Sequence, residues 1–366
     1  MAAEPVVQGR ERVTQAAAFS SRDFAPLHTF DPASAELPPR LQAWLAQEWG
    51  GRVEISNWRR FPAGMSWVTI GFTAELAKER RDLILRLGDP AALFSPYSTE
   101  PEFLALQAVS DVPGLPVPRV WTRCEDDTVL GAPFVITQRV LGDTPTPWDG
   151  GANRDEAERV SLGNDFSDIL GALHAFDWRP TSLAAWAADI TPQNSARREI
   201  QRWVDEASHG SSLPLALHYA MRWLEANAPV SERVVVVHGD YRVGNFLRQG
   251  GRITAVLDWE LVHLGDPHED LAWAGLRAFA PGSRRVGGLV DRDVFHARYT
   301  ARSGIVVDPV RLRYHEVLAQ FKSAAMLLGA SRRVEAGRAR DVRMAAMGFQ
   351  LVPTLGELIR LIEEAR

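Results

Sequence analysis

Residues 234–260 read VVVVHGDYRVGNFLRQGGRITAVLDWE and place polar groups directly beside strand-forming residues. The most informative of these groups are Asp240, Asn245, Asp258 and Glu260. A carboxylate in an apolar setting is costly unless it is paired, hydrogen-bonded or bound to a metal ion. The stretch therefore either stabilises the fold locally or carries chemistry.

The first part of this stretch predicts a buried strand followed by a loop. Residues 234–237 are four consecutive valines, which is typical of a strand buried on both faces. His238 and Asp240 then emerge from the end of the strand into a loop, where functional side chains are usually presented. We expect the catalytic groups of this protein to lie in that loop.

The second part predicts a β-hairpin. The glycine pair at 250–251 is a hairpin turn signal between two short strand-like runs. Pairing outward from this turn places Arg248 opposite Ile253 and brings Asp258 level with residues 243 to 245. Asn245 and Asp258 are therefore expected to meet at the open end of the hairpin.

An Asp in a loop, an Asn five residues later and an Asp at the exit of the paired strand form the arrangement that phosphoryl transfer uses. His238, Asp240 and Asn245 meet the pattern H-x-D-x-x-x-x-N. The first Asp takes the hydroxyl proton, and Asn245 and Asp258 hold Mg²⁺, which prefers oxygen ligands. Glu260 is a further candidate ligand. The alternative is that these residues only satisfy backbone groups at the hairpin end.

The following segment, LGDPHEDLAWAG, has a structural interpretation. Asp266 as N-cap, Pro267 at the first helical position and Glu269 at the third match a capping box at the start of a helix. Asp270, on the same helix, is positioned to reach back and brace the catalytic loop. We therefore expect Asp266 and Asp270 to give structural support.

The histidines and the single cysteine give weaker signals. The offset of five between His263 and His268 does not place them on one helical face, so a zinc site there is not favoured. Cys124 cannot form an internal disulfide, and its polar neighbours do not favour a catalytic thiol. His174 lies on a predicted helix with leucines and is interpreted as a packed core histidine.

The segments HGDYRVGNFL and AVLDWELVHLGDPHEDLAW resemble the aminoglycoside phosphotransferase and choline kinase family, the small-molecule branch of the protein-kinase-like fold. YRVGN, LDWE and GDPxxDLAW are more narrowly similar to kinase domains associated with acyl-CoA dehydrogenases. The resemblance covers about residues 41–366. It implies an enzyme that uses ATP and Mg²⁺ to phosphorylate a hydroxyl of a small molecule, with Asp240 catalytic and His238 bracing the loop.

The pattern of the whole chain predicts an α+β, two-lobed protein-kinase-like fold. We expect an N-terminal arm over residues 1–40, a small β-rich nucleotide-binding lobe over 41–141, and a larger helical lobe over 142–366 with the catalytic loop, metal site and acceptor pocket. Strands are predicted at 52–60, 66–76, 82–87, 119–122 and 133–140, and helices at 41–49, 100–111, 156–176, 197–207, 213–226, 311–328 and 342–364.

The first lobe must cover the ATP phosphates and hold them with a cation. In FPAGMSWVT, residues 61–69, Gly64 permits close backbone approach and Ser66 can donate to phosphate. The third strand, DLILRLG, carries Arg86 where protein kinases place a lysine. Arg binds phosphate bidentately, so the exchange is chemically workable. Glu102 is the expected acid partner of Arg86, with Glu100 as the competitor.

The end of the last strand of this lobe is the expected adenine site. Gln138 and Val140 lie just before the link between the lobes, where the family's backbone hydrogen-bonds adenine. This assignment rests on position, because backbone contacts leave no side-chain pattern.

Composition bounds the partners. The net charge is −5, and no basic stripe interleaved with aromatics is present, so nucleic acid is not expected. No apolar run approaches about 18 residues and the N-terminus lacks the pattern of a signal peptide, which predicts a cytoplasmic protein without a membrane partner. A monomer or homodimer is expected.

The acceptor is the least determined part of the prediction. From Gly151 onward, 27 acidic and 27 basic side chains balance, which argues against a polycationic antibiotic. Five arginines in residues 331–343 indicate either a solvated helix face or a site for an anionic acceptor. A hydroxy acid or hydroxyacyl thioester is the expected acceptor. The alternatives are an antibiotic kinase and a nucleotide-binding module without turnover, the latter favoured only by Arg86.

Overall fold

A computed structural model of the chain describes residues 30–61, 64–77, 79–95, 98–145, 155–208, 212–339 and 341–365. An antiparallel sheet with its helices comes first, and a larger, mostly helical region follows. The expectation of an α+β architecture is confirmed.

The first lobe is built on one five-stranded sheet with the order β1-β2-β3-β5-β4, in which all neighbours are antiparallel. In β3 the alternate residues Leu83, Leu85 and Leu87 are buried, so Arg86 projects from the opposite face. The elements are α1 (Leu37–Glu48), β1 (Val53–Phe61), β2 (Trp67–Leu76), β3 (Glu79–Gly88), α2 (Glu100–Val109), β4 (Val120–Cys124), α3 (Asp127–Leu130) and β5 (Phe134–Gln138).

The second lobe consists of helices around two small two-stranded sheets, which pair β6 with β9 and β7 with β8. Its elements are α4 (Glu156–Ala175), α5 (Leu183–Trp186), α6 (Ser195–Ser208), α7 (Leu215–Asn227), β6 (Val235–Val237), β7 (Phe246–Gln249), β8 (Arg252–Val256), β9 (His263–Gly265), α8 (His268–Ala274), α9 (Arg292–Ser303), α10 (Pro309–Glu335), α11 (Val342–Met347) and α12 (Leu351–Glu364).

The hairpin register agrees with the prediction. Arg248 pairs with Ile253, as expected from the glycine turn. An irregularity after Leu247 then shifts the pairing so that Phe246 lies opposite Val256. The open end of the hairpin therefore lies at residues 244–245 and 257–258.

Each lobe has its own hydrophobic core, but one helix from the sequence of the first lobe packs into the core of the second. Buried residues of α1, the sheet and α3 form the first core, and those of α4, β6, the hairpin, α8 and α9 form the second. Helix α2 lies between the first-lobe strands in sequence, yet its Ala105, Leu106 and Val109 pack into the second core. Helix α2 therefore joins the two lobes.

Several predicted boundaries were wrong. The arm does not extend to residue 40, because α1 begins at Leu37, which is fully buried, with proline in its first turn. Residues 1–29 lie outside the described part. Helix α9 and strand β9 were missed, since β9 has only three residues and α9 has only three buried residues, Phe295, Tyr299 and Ser303, among its twelve.

The C-terminal stretch 342–364 also differs from its prediction as one helix. It forms α11, a 3₁₀ turn and α12. By length and composition alone this stretch could cross a membrane, because an 18-residue window of it has a mean hydropathy of 1.2. This differs from the expectation that no apolar run approaches about 18 residues. Leu358, Leu361 and Ile362 of α12 are buried in a core formed with α6, α7 and α10, while 17% of that window as a whole is buried.

Candidate active site

Asp270 holds the catalytic loop in place. This carboxylate of α8 is fully buried and accepts hydrogen bonds from the backbone N–H groups of His238, at 2.7 Å, and Gly239, at 2.9 Å. His174 lies 3.2 Å from it and also contacts the hydroxyl of Tyr299. Burial alone would raise the pKa of Asp270, but these hydrogen bonds and the nearby histidines lower it. His174 is thus buried as predicted and supports this carboxylate.

His238 connects the loop to the hairpin. Its Nδ1 accepts from the N–H of Asp240 at 3.1 Å, so its Nε2 carries the proton and donates to the carbonyl oxygen of Leu257 at 3.0 Å. Burial lowers the pKa of the imidazole, which favours this neutral form. The structure therefore gives His238 the contacts of a bracing residue.

Asp240 is surrounded by donors. Its Oδ1 accepts from the indole of Trp273 at 2.6 Å and from Nε of Arg242 at 3.0 Å, and its Oδ2 accepts from Nδ2 of Asn245 at 2.5 Å. Sequence reasoning missed Trp273 and Arg242. Arg242 lies inside the loop motif, and Trp273 lies one helical turn beyond Asp270 and so on the same face of α8. Both positions therefore indicated side chains close to the loop.

The metal candidates lie at the hairpin end. Nδ2 of Asn245 also donates to the backbone carbonyl of Asp240 at 3.0 Å, which leaves the amide oxygen of Asn245 outside both contacts. The N–H of Leu257 donates to the backbone carbonyl of Asn245 at 2.8 Å and brings Asp258 next to this end. Asp258 has a φ of 68°, a strained conformation for a non-glycine residue that is common at functional sites.

Arg86 joins the acids of the two lobes. Its guanidinium lies 3.0 Å from Glu102 of α2, 2.8 Å from Asp258 and 3.8 Å from Glu260. Burial lowers the pKa of Arg86, but the three carboxylates together raise it above its ordinary value. Glu100 instead pairs with Arg123 at 3.2 Å. Of the two competing acids, the structure brings Glu102 to Arg86.

The side chain of Glu260 is 11% exposed, lies beside Arg86, and has one oxygen without a hydrogen-bond partner among the described residues. Its Oε2 has no hydrogen-bond partner within the described ranges, although Ser66 bonds the carboxyl group. Burial and the neighbouring Asp258 raise the pKa of Glu260 well above its usual range. An orphaned carboxylate oxygen beside a second acid fits a cation site.

The phosphate-loop candidates lie between β1 and β2. Gly64 has a φ of 95° and lines, with Ser66, a cavity of about 210 Å³ that the C-terminal residues 341–344 also border. Ser66 itself is buried and, through Glu260, is linked to the hairpin end. Residues 62 and 63 of this loop lie outside the described part.

The adenine candidates differ from each other. The N–H of Gln138 donates to the carbonyl oxygen of Arg119 at 2.7 Å within the sheet, so this donor is already engaged. Val140 follows the end of β5. The N–H of Gln138 is therefore used within the protein, and an adenine contact at Val140 stays a prediction.

The arginine-rich segment 331–343 is mainly structural. Arg332 donates to carbonyl groups at the end of α6, and Arg333 donates to the carbonyl oxygen of Ser95 at 2.8 Å. Arg343 pairs with Asp341 at 2.6 Å. These three arginines are therefore engaged within the protein, which weakens the reading of this segment as a site for an anionic acceptor.

A triad of ionisable groups lies behind the loop. Nε2 of His263 lies 3.0 Å from Glu269 and 3.6 Å from Glu199, and these three side chains could also hold a metal ion. Arg202 lies 3.5 Å from Glu199 and supplies positive charge to the group. His263 and His268 have different partners, since His268 pairs with Asp266 at 2.7 Å. Each of the two carboxylates, Glu199 and Glu269, therefore already has an ionisable partner within the protein.

The first prediction concerns Asp270. Replacing Asp270→Ala leaves two buried N–H groups of the catalytic loop unpaired, so the free energy of unfolding should fall by about 3 kcal/mol. Chemical denaturation measures this loss, with the exposed Glu363→Ala as a control that should change stability little. Equal stability of Asp270→Ala and the wild type would contradict the bracing role.

The second prediction concerns pH. Burial lowers the pKa of His263, but Glu199 and Glu269 raise it above the ordinary 6.5. A raised pKa in the folded state stabilises the fold fully below the unfolded pKa, and this stabilisation is lost as pH rises through the folded pKa. The stability difference between wild type and His263→Gln should therefore be largest below about pH 6 and decline at alkaline pH. Denaturation across pH, with exposed His218→Gln as control, checks this, and a difference that is constant with pH would contradict it.

Known relatives were found by sequence. Mouse acyl-CoA dehydrogenase family member 10 is 29% identical over 301 residues, which cover 76% of this chain and 27% of that protein. Chicken acyl-CoA dehydrogenase family member 11 is 30% identical over 248 residues, 62% of this chain and 30% of that protein. The chain thus spans less than a third of the length of these relatives.

Solved structures and a family model also match this chain. A structure described as a putative aminoglycoside phosphotransferase from Ralstonia eutropha JMP134 has a TM-score of 0.69 at 25% identity, covering 90% of this chain and 98% of that one. A gentamicin complex of an aminoglycoside phosphotransferase, at 15% identity and TM-score 0.58 over 89% and 96% of the chains, shares the fold. Residues 72–320 match the APH model, described as the phosphotransferase enzyme family. The chain therefore belongs to this phosphotransferase family, as the sequence motifs predicted.

Proposed function

We propose that this protein transfers the γ-phosphate of ATP to a hydroxyl group of a small molecule with the help of Mg²⁺. The observation that carries the proposal is the convergence of Arg86, Glu102 and Asp258 between the lobes, next to the loop that presents Asp240. A phosphotransferase needs a cation for the phosphates, oxygen ligands for a metal and a base for the hydroxyl at one place. These residues supply all three.

Asn245, Asp258 and Glu260 would hold the metal ion. They offer an amide oxygen and two carboxylates, the oxygen donors that Mg²⁺ prefers. The unsatisfied Oε2 of Glu260 supports this assignment. When bound, the ion supplies positive charge at the transferring phosphoryl group. The neighbouring guanidinium of Arg86 adds a second positive charge, in a form that cannot lose its proton.

Asp240 would receive the proton of the acceptor hydroxyl. As the acceptor oxygen bonds to the γ-phosphorus, the bond from that phosphorus to the β–γ bridging oxygen breaks and ADP leaves. The hydroxyl proton moves to the carboxylate of Asp240, which Trp273, Arg242 and Asn245 hold in one orientation. Catalysis would come mainly from this positioning and from charge neutralisation.

The proposed acceptor is a hydroxy acid or a hydroxyacyl thioester. Relatives of 29% and 30% identity are named acyl-CoA dehydrogenases, which supports an acyl compound. Beside Asp240, the ring of Phe279 packs against Trp273 at 5.2 Å and under the guanidinium of Arg242 at 5.1 Å. An apolar ring next to a fixed cation suits an acceptor with an apolar chain and negative charge better than a polycation.

An antibiotic kinase is the second candidate. It is favoured by the solved structure described as a putative aminoglycoside phosphotransferase, at 25% identity. The balance of 27 acidic and 27 basic side chains after residue 150 speaks against it. An ATP-consumption screen over hydroxy acids, hydroxyacyl thioesters, amino alcohols and antibiotics separates these acceptors. Stabilisation by MgATP without turnover on any of them would instead favour a nucleotide-binding module.

The third prediction concerns the proposed base. Asp240→Asn should lower turnover by about 10² to 10⁴-fold, because the positioned base is lost, while ATP binding is retained. ATP consumption and calorimetric titration with ATP measure the two effects. Exposed Asp293→Asn is the matched control and should behave as the wild type. Full activity of Asp240→Asn would remove the proposed base from the mechanism.

The fourth prediction concerns the metal ligand. Asp258→Asn should weaken the metal-dependent part of nucleotide binding, because a neutral amide replaces a charged oxygen donor. Titrations with ATP in the presence of Mg²⁺ and of EDTA isolate this part. The affinity without metal should change much less. A loss of equal size under both conditions would argue against a ligand role for Asp258.

A further inference from the structure

Lys322 has an unusual environment for a lysine. It lies in the middle of α10, and its side chain is only 7% exposed. A buried ammonium group is costly unless other groups compensate its charge. Neither the proposed chemistry nor the family motifs use this residue, so the cause of its burial lies in what it contacts.

The ammonium group contacts the catalytic loop directly. Nζ of Lys322 donates a hydrogen bond to the backbone carbonyl of Gly239, the residue before Asp240. Gly239 has a φ of 82°, and a Cβ at this position would overlap the carbonyl oxygen of Leu261. The loop therefore passes this point in a conformation that favours glycine.

The peptide group that joins Gly239 to Asp240 is held at both of its polar ends. Lys322 binds its carbonyl oxygen, and Nδ1 of His238 accepts its N–H at 3.1 Å. The preceding N–H, that of Gly239, is bound by Asp270 at 2.9 Å. Rotation of this peptide would break two hydrogen bonds in a buried setting, which is costly.

A second contact leads from Lys322 to the carboxylate itself. Nζ lies 4.2 Å from the ring centre of Trp273 and 5.1 Å from that of Trp203. The indole N–H of Trp273 in turn donates to Oδ1 of Asp240 at 2.6 Å. The cation thus packs on the ring that orients the carboxylate.

We propose that Lys322 is a positioning residue, which fixes from α10 the Gly239–Asp240 peptide and the indole of Trp273, and so sets the direction of the Asp240 carboxylate. The proposal rests on the proposed function of Asp240 as the base. It assigns to α10 a part in the reaction. Loss of Lys322 should affect the chemical step rather than ATP binding.

The test combines kinetics with a spectroscopic readout. Lys322→Met keeps most of the side-chain length and removes the charged group, so kcat for MgATP hydrolysis should fall about 10²-fold while KM for ATP stays the same. Lys322→Arg should recover most of this loss. In ¹H–¹⁵N spectra of Lys322→Met, the indole resonance of Trp273 and the amide resonance of Asp240 should both shift.

The control is Gln320→Leu. Gln320 lies on α10 like Lys322, and the replacement removes its 3.2 Å hydrogen bond to the backbone carbonyl of Thr354 in α12. It should leave both resonances and kcat unchanged. If Lys322→Met does not fold, Lys322→Gln replaces it with the same expected result. Wild-type resonance positions in the Lys322 variant would overturn the proposal. A wild-type protein without MgATP hydrolysis would count against the proposed function instead, and the two resonances would still decide the role of Lys322.

Discussion

The geometry of the active site depends on the two hydrogen bonds that Asp270 accepts from the catalytic loop. Asp270 is placed by α8, and α8 begins at the capping box, in which Asp266 accepts from the N–H of His268 at 2.9 Å and Glu269 accepts from that of Asp266 at 3.0 Å. A local helix-start signal therefore has a long-range effect, because the direction of α8 determines where the Asp270 carboxylate meets the catalytic loop. Without this constraint the loop would contain buried, unpaired N–H groups.

Local patterns in the sequence predicted a large part of this arrangement. The glycine pair predicted the Arg248–Ile253 pairing, and the sequence of the third strand predicted Arg86 as its cation with Glu102 as the acid partner. Trp273 and Lys322 were not predicted, since their contacts to Asp240 and Gly239 span 33 and 83 residues and depend on how α8 and α10 pack. Sequence spacing within one element shows a shared face, but it does not show which distant loop that face meets.

Arg86, which stands where protein kinases place a lysine, makes contacts that a lysine could not make in the same way. A lysine ammonium is a compact charge, whereas the planar guanidinium reaches Glu102 through Nη1 and Asp258 through Nη2 at the same time. The side chain of Arg86 therefore spans an acid of helix α2 and an acid at the hairpin end. Asp258 accommodates this contact in its left-handed conformation, with a φ of 68°, which places backbone strain at the functional site.

Helix α2 carries a consequence for motion. It holds Glu102 on one side, while its Ala105, Leu106 and Val109 belong to the core of the second lobe. Arg86 belongs to the sheet of the first lobe. If the sheet moves relative to the second lobe during a catalytic cycle, Glu102 stays with the second lobe and Arg86 moves with the sheet. The Arg86–Glu102 separation then acts as a gauge of how far the cleft is open.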